Sequence, residues 1–520
     1  MADDARAITE SAVVETSAGK VRGEVFRGIS VYRGIPYGAP TSGANRFRAP
    51  QPPTPWTGVA EAILYGETAP QSKGGLSEGG YPGNRPEIGE DCLRLNVWTP
   101  AADTAKRPVM VWLHGGGFEA GSGSSMLYDG VNLCRRGDVV TVSINHRLGL
   151  FGHCYLDGVL GADFAGSANV GFLDIVAALR WVRENIGRFG GDAENVTIYG
   201  QSGGGRKVSI AMASKDAAGL FRRGIVQSGS HLRLLTTQQA QDLTDKLLAL
   251  LEIAPGDARK LQDLPMEALL KANRAIQREG HGRFSPAIDN VVFDAHPWDP
   301  AAPAISANVP MLVGTCRTEL SNQLGNADES LFSLTEADLK QRLERFIPAG
   351  DIDDVVSVFR RAEPDATPSA LFFKITTARG YWRDSVIQTE RKTEQGTAPV
   401  WSYRVMWRTP VEGGRRITPH STDLPFMFDN VTKARGMVGE PTEETEAMAN
   451  AMSEAWLAFA RTGDPNHPAL PDWRPYDLER RTVMLFDVQS RAEEDPHRDE
   501  RLAMARYPTQ QMGGRLLQSM

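Results

Sequence analysis

The sequence predicts an α/β fold: a large, mostly parallel central sheet with helices on both faces and helical insertions. Three observations carry this. Short apolar or β-branched runs at 109–113 (VMVWL), 139–144 (VVTVSI) and 196–199 (VTIY) suit strands buried on both faces. Between the second and third, Leu173, Val176, Ala177, Leu179, Trp181, Val182 and Ile186 recur at helical spacing. Strand, helix and strand in that order imply right-handed βαβ units and parallel pairing.

The remaining elements follow along the chain. Residues 13–34 read as short strands with turns at Gly19 and Gly23. Residues 236–278 read as helical, with Thr236 and Gln239 spaced for a capping box. Residues 310–315 return to a strand, 335–395 are mostly helical, and 399–407 form a strand of aromatic and β-branched residues. A long helix at 442–461 and a strand at 482–486 complete the pattern. The helical blocks at about 236–310 and 335–395 are expected to be insertions covering a pocket within one domain spanning 1–520.

Composition limits the function classes. The chain is 41% hydrophobic and 23% charged with no run of 18 apolar residues, which argues against a spanning helix and against disorder. With 57 basic and 64 acidic residues the net charge is −7, which gives no footprint for nucleic acid. The charge-rich stretch 491–501 mixes signs and is expected to be a solvated surface segment. Cys92, Cys134, Cys154 and Cys316 match no zinc or CxxC spacing. The N-terminus, MADDARAITESAVV, has no apolar core of a signal peptide. Four free, mostly buried thiols in a reducing cytoplasm are therefore expected.

The chemistry begins at Gly200-Gln201-Ser202-Gly203-Gly204, a G-x-S-x-G match. Gly75-Leu76-Ser77-Glu78-Gly79 matches too, but no apolar strand precedes it, so Ser77 reads as a loop serine. A nucleophile elbow needs a strand entering, a strained turn and a helix leaving. Residues 196–199 supply the strand, and a helix is expected at 207–213. His114-Gly115-Gly116-Gly117-Phe118 follows the 109–113 strand directly. Such a turn presents backbone N–H groups to a developing oxyanion, with no side chain in the way.

A serine hydroxyl needs a histidine to take its proton and a carboxylate to orient that histidine. In α/β-hydrolases the chain order is Ser, Asp/Glu, His. His231, His281, His296, His420, His467 and His497 follow Ser202. His467 and His497 sit beside prolines in polar stretches, which predicts surface positions. His281 lies between glycines, and His231 is too near the serine. His420 lies in PHSTDLP, after the 399–407 strand. Glu319 follows the 310–315 strand by four residues; Asp289 and Asp294 are less well placed, and Asp423 falls beside His420 rather than before it.

These residues resemble the type-B carboxylesterase/lipase family, which includes bacterial para-nitrobenzyl esterases and cholinesterases. The likeness runs from about residue 14 to 487. It includes YRGIPY at 32–37, Arg46-Phe47, Trp56, EDCLRLNV at 90–97, NHRLG at 145–149, NVGFLD at 169–174 and FGGD at 189–192. GTCRTE at 314–319 resembles the family's acid loop, and residues 420–428 its histidine loop.

The resemblance implies an α/β-hydrolase fold and a Ser202, Glu319, His420 triad. It implies Gly116, Gly117 and Gly203 as oxyanion donors, without metal or cofactor. It suggests Ser228 as a hydrogen-bonding residue near the triad; a satisfied turn serine is the alternative. The implied activity is hydrolysis of small-molecule carboxylic esters through an acyl-enzyme. Carbamates, aryl amides or lactones are alternative substrates, and a non-catalytic binding module is the rival class. No nucleic-acid or membrane partner is expected; monomer and homodimer both stay open.

Four departures stand out. Gln201 replaces the family's usual Glu, Gly203 its usual Ala, and Leu320 a common Gly. Cys92 has no partner about 20 residues earlier, where the family's eukaryotic members have one and Ala69-Pro70-Gln71 stands here; this fits an intracellular protein. The 71–91 loop has no tryptophan, which argues against a choline-binding aromatic site.

Overall fold

The computed structural model describes residues 9–72 and 86–511. Residues 1–8, Ser77 and the 73–85 part of the 71–91 loop lie outside the described residues. The chain divides into two compact units, each made of three segments. The first comprises 1–199, 214–223 and 234–296; the second comprises 200–213, 224–233 and 297–520.

The first unit holds β1 (Thr9–Glu15), β2 (Lys20–Phe26), β3 (Ile29–Pro36), β4 (Val59–Glu61), β5 (Arg94–Thr99), β6 (Arg107–Leu113), β7 (Val140–Ile144) and most of β8 (Gly191–Gln201). Their order is β1-β2-β3-β5-β7-β6-β8, with β4 beside β2. The strands up to β5 pair antiparallel along this path, while β6 and β7 pair parallel. Every residue of β7 is buried, as expected of a strand covered on both faces. The helix Val170–Asn185 connects β7 to β8, as its spacing predicted.

Two of the sequence motifs meet inside this unit. Arg147 of NHRLG forms a fork with Asp174 of NVGFLD: Nη2 to Oδ1 is 2.7 Å and Nε to Oδ2 is 2.8 Å. Both side chains are almost wholly buried, so loss of either partner leaves an uncompensated charge. The helices Thr237–Leu250 and Met266–Arg278 build a core of their own from Leu243, Leu247, Leu269 and Ile276, against Phe47 and Phe151. The Thr236–Gln239 capping box is present.

The second unit holds β9 (Arg223–Gln227, from Gly224), β10 (Met311–Cys316), β11 (Val400–Val405), β12 (Thr482–Phe486) and β13 (Arg491–Glu494), in that order. The first four pair parallel, and β13 closes the edge antiparallel. Between β10 and β11 lie helices Glu336–Leu343, Ile352–Ala362, Pro368–Thr377 and Arg383–Gln395. Their apolar faces meet through Leu339, Leu343, Phe359, Phe372 and Phe373.

Two surface expectations are corrected. The 491–501 stretch is not merely solvated: it forms β13 and starts the helix Arg498–Ala505, and Glu500 is buried against Arg317. His497 is half-buried rather than exposed. Its ring meets Trp382 edge-on, and burial followed by the charge of Arg404 pushes its pKa down to about 2. His467 is half-buried, with Nε2 2.9 Å from the Ala451 carbonyl. All four cysteines are free and buried. Among the described residues, no single helix is long and apolar enough to cross a membrane.

Candidate active site

Ser202 stands between β8 and the helix Gly203–Ala211, which begins at the first glycine after it rather than at 207. Its φ of 58° and ψ of −121° are strained for a non-glycine residue. Two hydrogen bonds hold the turn: Ser202 N–H donates to the Gln227 carbonyl at 2.8 Å, and Arg206 N–H donates to the Ser202 carbonyl at 3.0 Å. Glycine is required where the flanking backbones cross. A Cβ on Gly229 would meet the Ser202 oxygen at 2.4 Å and the Gly205 Cα at 2.6 Å.

Glu319 follows β10 and is wholly buried. Its Oε1 accepts from Ser228 Oγ at 2.6 Å and from Cys316 N–H at 2.7 Å. Its Oε2 lies 2.5 Å from Nδ1 of His420. Two acceptor oxygens thus take three donors, which fixes the carboxylate and orients the imidazole. Ser228 itself has φ 47°. The Asn322 amide donates to the His420 carbonyl at 3.0 Å, and the Tyr381 ring packs 5.0 Å from the imidazole.

The structure thus brings together Glu319, His420 and Ser228. It adds a contact that sequence reasoning missed: Nε2 of Gln201 lies 3.2 Å from Nε2 of His420. Among the described residues, no hydrogen bond joins Ser202 Oγ to His420. Substrate-free sites often show such bonds long or misaligned. Gln201 was visible as a departure from the family, but its contact depends on where β8 ends relative to the histidine loop.

Asp423 was set aside as the acid, yet it is buried near the pair. It accepts from the Gln227 amide at 2.8 Å and from the Tyr403 hydroxyl at 3.1 Å. Burial pushes its carboxyl up to about 6, opposed by the Gln227 hydrogen bond. Its closeness to His420 in sequence was the available signal, although Ser421 between them, at φ 75°, is not helical.

The glycine turn belongs to the first unit. Gly116 and Gly117 have φ of 90° and 67°. A Cβ on Gly116 would meet the Ala120 carbonyl at 2.2 Å, so only glycine fits there. The turn is pinned by Ala120 N–H to the Gly116 carbonyl at 3.0 Å. The His114 ring stacks on His146, with centroids 4.9 Å apart. In the second unit, Gly203 is the first helical residue, so its N–H has no acceptor within its own helix.

The sequence profile of the Carboxylesterase family matches residues 10–505. The chain is 35% identical over 495 residues to the para-nitrobenzyl esterase of Bacillus subtilis (strain 168), covering 94% of this chain and 97% of that protein. It is 31% identical to a phenmedipham hydrolase of Pseudarthrobacter oxydans, over 91% of this chain and 94% of that one. Among solved structures, the carboxylesterase EST55 of Geobacillus stearothermophilus superposes with a TM-score of 0.82 at 38% identity, covering 95% of this chain and 99% of that one. An esterase of Clostridium hathewayi, described as able to hydrolyse aliphatic aromatic polyesters, superposes with a TM-score of 0.80 at 33% identity, over 95% and 98% of the two chains. With the elbow, the buried Glu–His pair and these likenesses, the chain has the α/β-hydrolase fold and belongs to the carboxylesterase family of serine carboxylic ester hydrolases.

Proposed function

We propose that Ser202 is the nucleophile, His420 the general base and Glu319 the residue that orients it, in hydrolysis of small-molecule carboxylic esters. Ser202 Oγ attacks the ester carbonyl and its proton passes to Nε2 of His420. The oxyanion is held by the amides of Gly116, Gly117 and Gly203. The alkoxide leaves with the proton from His420; water, deprotonated by the same nitrogen, then releases the acid and restores the serine. Ser228 braces Glu319 throughout. This sequence is chemically complete without a metal or cofactor.

The observation that carries the assignment is the 2.5 Å contact between Glu319 Oε2 and His420 Nδ1. It leaves Nε2 as the basic nitrogen. The names of the B. subtilis and C. hathewayi relatives favour esters with an aromatic part, on the alcohol or the acyl side. One catalytic domain spanning the chain, with the 236–310 and 335–395 helices covering the pocket, accords with a family match over 10–505. The four buried thiols suit a reducing compartment, and we place the enzyme in a bacterial cytoplasm.

Turnover of para-nitrophenyl acetate is expected from the wild type and should fall by several orders of magnitude in Ser202→Ala. A phosphonate label should map to Ser202 by peptide mass spectrometry. Unchanged turnover in Ser202→Ala would overturn the assignment, and no turnover or labelling of the wild type would favour a binding module.

A further inference from the structure

Arg404 of β11 lies in the second unit and is 1% exposed. Its guanidinium lies over the Trp382 ring, 4.2 Å from Cζ to the centroid. Among the described residues, no acceptor reaches Nε, Nη1 or Nη2, and all three atoms are sealed from solvent. A guanidinium cannot escape this by losing its proton. Burial, then the neighbouring charge of Arg317, lowers its pKa only to about 9.

The nearby carboxylates are already committed. Glu500 takes both Nη groups of Arg317, at 2.7 and 2.9 Å. Glu363 takes Arg317 Nη2 at 2.9 Å and Lys374 Nζ. Glu319 is engaged by Ser228, Cys316 and His420. Arg317 and Lys374 are thus matched one for one by Glu363 and Glu500, and among the described residues Arg404 has no ion-pair partner.

The same sheet face offers further donors. Thr315 is the register partner of Arg404 across the parallel pair β10–β11. Arg317 continues that pairing through its N–H to the Val405 carbonyl at 3.1 Å, and lies two residues on from Thr315, on the same face. Among the described residues Thr315 Oγ1 and Arg317 Nε are sealed and without a partner, as is Nδ1 of His497, which lies beyond β13 in the chain. A lining dominated by guanidinium nitrogens suits an anion better than water, whose two protons would need acceptors.

We propose that this face binds a monovalent inorganic anion of halide size against the guanidinium of Arg404, with Thr315 Oγ as a second donor.

The test uses the full chain, transferred from chloride to gluconate at constant ionic strength and titrated with bromide. The expected Tm rises with the logarithm of bromide concentration, as for any ligand bound only by the folded state. Arg404→Met should fold and lose that rise, while Thr315→Val should weaken it. In crystals grown with bromide, an anomalous peak should stand beside the Arg404 guanidinium. An equal bromide response in wild type and Arg404→Met overturns the proposal. So does a map with water at that position, or with bromide only at adventitious surface positions. Should Arg404→Met fail to fold, the wild-type anomalous map decides alone.

Discussion

The Gln201 side-chain amide lies 3.2 Å from Nε2 of His420, the nitrogen proposed to take the proton of Ser202. With Nδ1–H committed to Glu319, Nε2 presents a lone pair, and the Gln201 amide donates to it. A neutral donor here supports the unprotonated imidazole. A carboxylate at the same place, as the family usually has, favours the imidazolium instead. Gln201→Glu should therefore move the acid limb of the kcat/KM profile to higher pH, by about 1 to 3 pH units for an opposite charge in contact. Gln201→Ala, which removes the donor and adds no charge, should move the limb in the same direction by less. Profiles from pH 5 to 9 on a neutral ester measure both, and coincident limbs in Gln201→Glu and wild type would sink the idea.

Ser228 is separable from the reacting atoms by its kinetics. Its hydroxyl supplies one of the three hydrogen bonds that fix Glu319. Hydrogen bonds to charged groups contribute about 1.5–3 kcal/mol. If the bond acts by bracing Glu319, Ser228→Ala should lower kcat by roughly tenfold to hundredfold and leave KM nearly unchanged. A satisfied turn serine predicts a lower Tm with kcat intact. Steady-state kinetics together with thermal unfolding tell the two apart.

Much of this arrangement was legible in the sequence because it is fixed by backbone. Apolar runs placed β6, β7 and β8, and the glycines at 116–117 marked a turn that a side chain would block or strain. Glu319 and His420 were legible because each follows a strand in the order the chemistry requires. The contacts of side chains were less so. Pro496 beside His497 suggested a surface loop, but the ring turns in against Trp382. Glu500 read as one charge in a mixed-sign stretch, whereas its partner Arg317 lies 183 residues away and is equally buried. Pattern rules report local periodicity; a pairing across such a distance is decided by how the strands are ordered.

Gly229 tests how strictly the elbow is built. The obstacles to a Cβ there are the Ser202 carbonyl and the Gly205 backbone, not the ends of flexible side chains. Relief requires the turn itself to shift. Gly229→Ala should destabilise the protein by about 1–3 kcal/mol, as overpacking does. It should also lower kcat by more than that loss of folded protein explains, because it displaces the nucleophile. Active-site titration with a phosphonate separates the two: a normal burst with normal kcat would show that the turn absorbs the methyl.

The pH dependence of stability should carry the mark of Asp384. Burial pushes its carboxyl up to about 7, against the opposing hydrogen bond from Thr509. A carboxyl with a raised folded pKa binds more protons folded than unfolded, so stability falls as pH rises. The fall begins near the unfolded value of about 3.9 and ends above the folded one, with a total of at most about 4 kcal/mol. Asp423, raised to about 6, acts in the same direction but is largely spent above pH 6. Between pH 6 and 7.5 Asp384 thus supplies the falling component, against a rising one from His497, whose folded pKa lies far below its unfolded value of about 6.5. Asp384→Asn, which keeps an oxygen to accept from Thr509, should remove the falling component, so that urea-unfolding free energies rise more with pH across that interval than in the wild type. A slope in the variant equal to that of the wild type would show that the titrating group lies elsewhere.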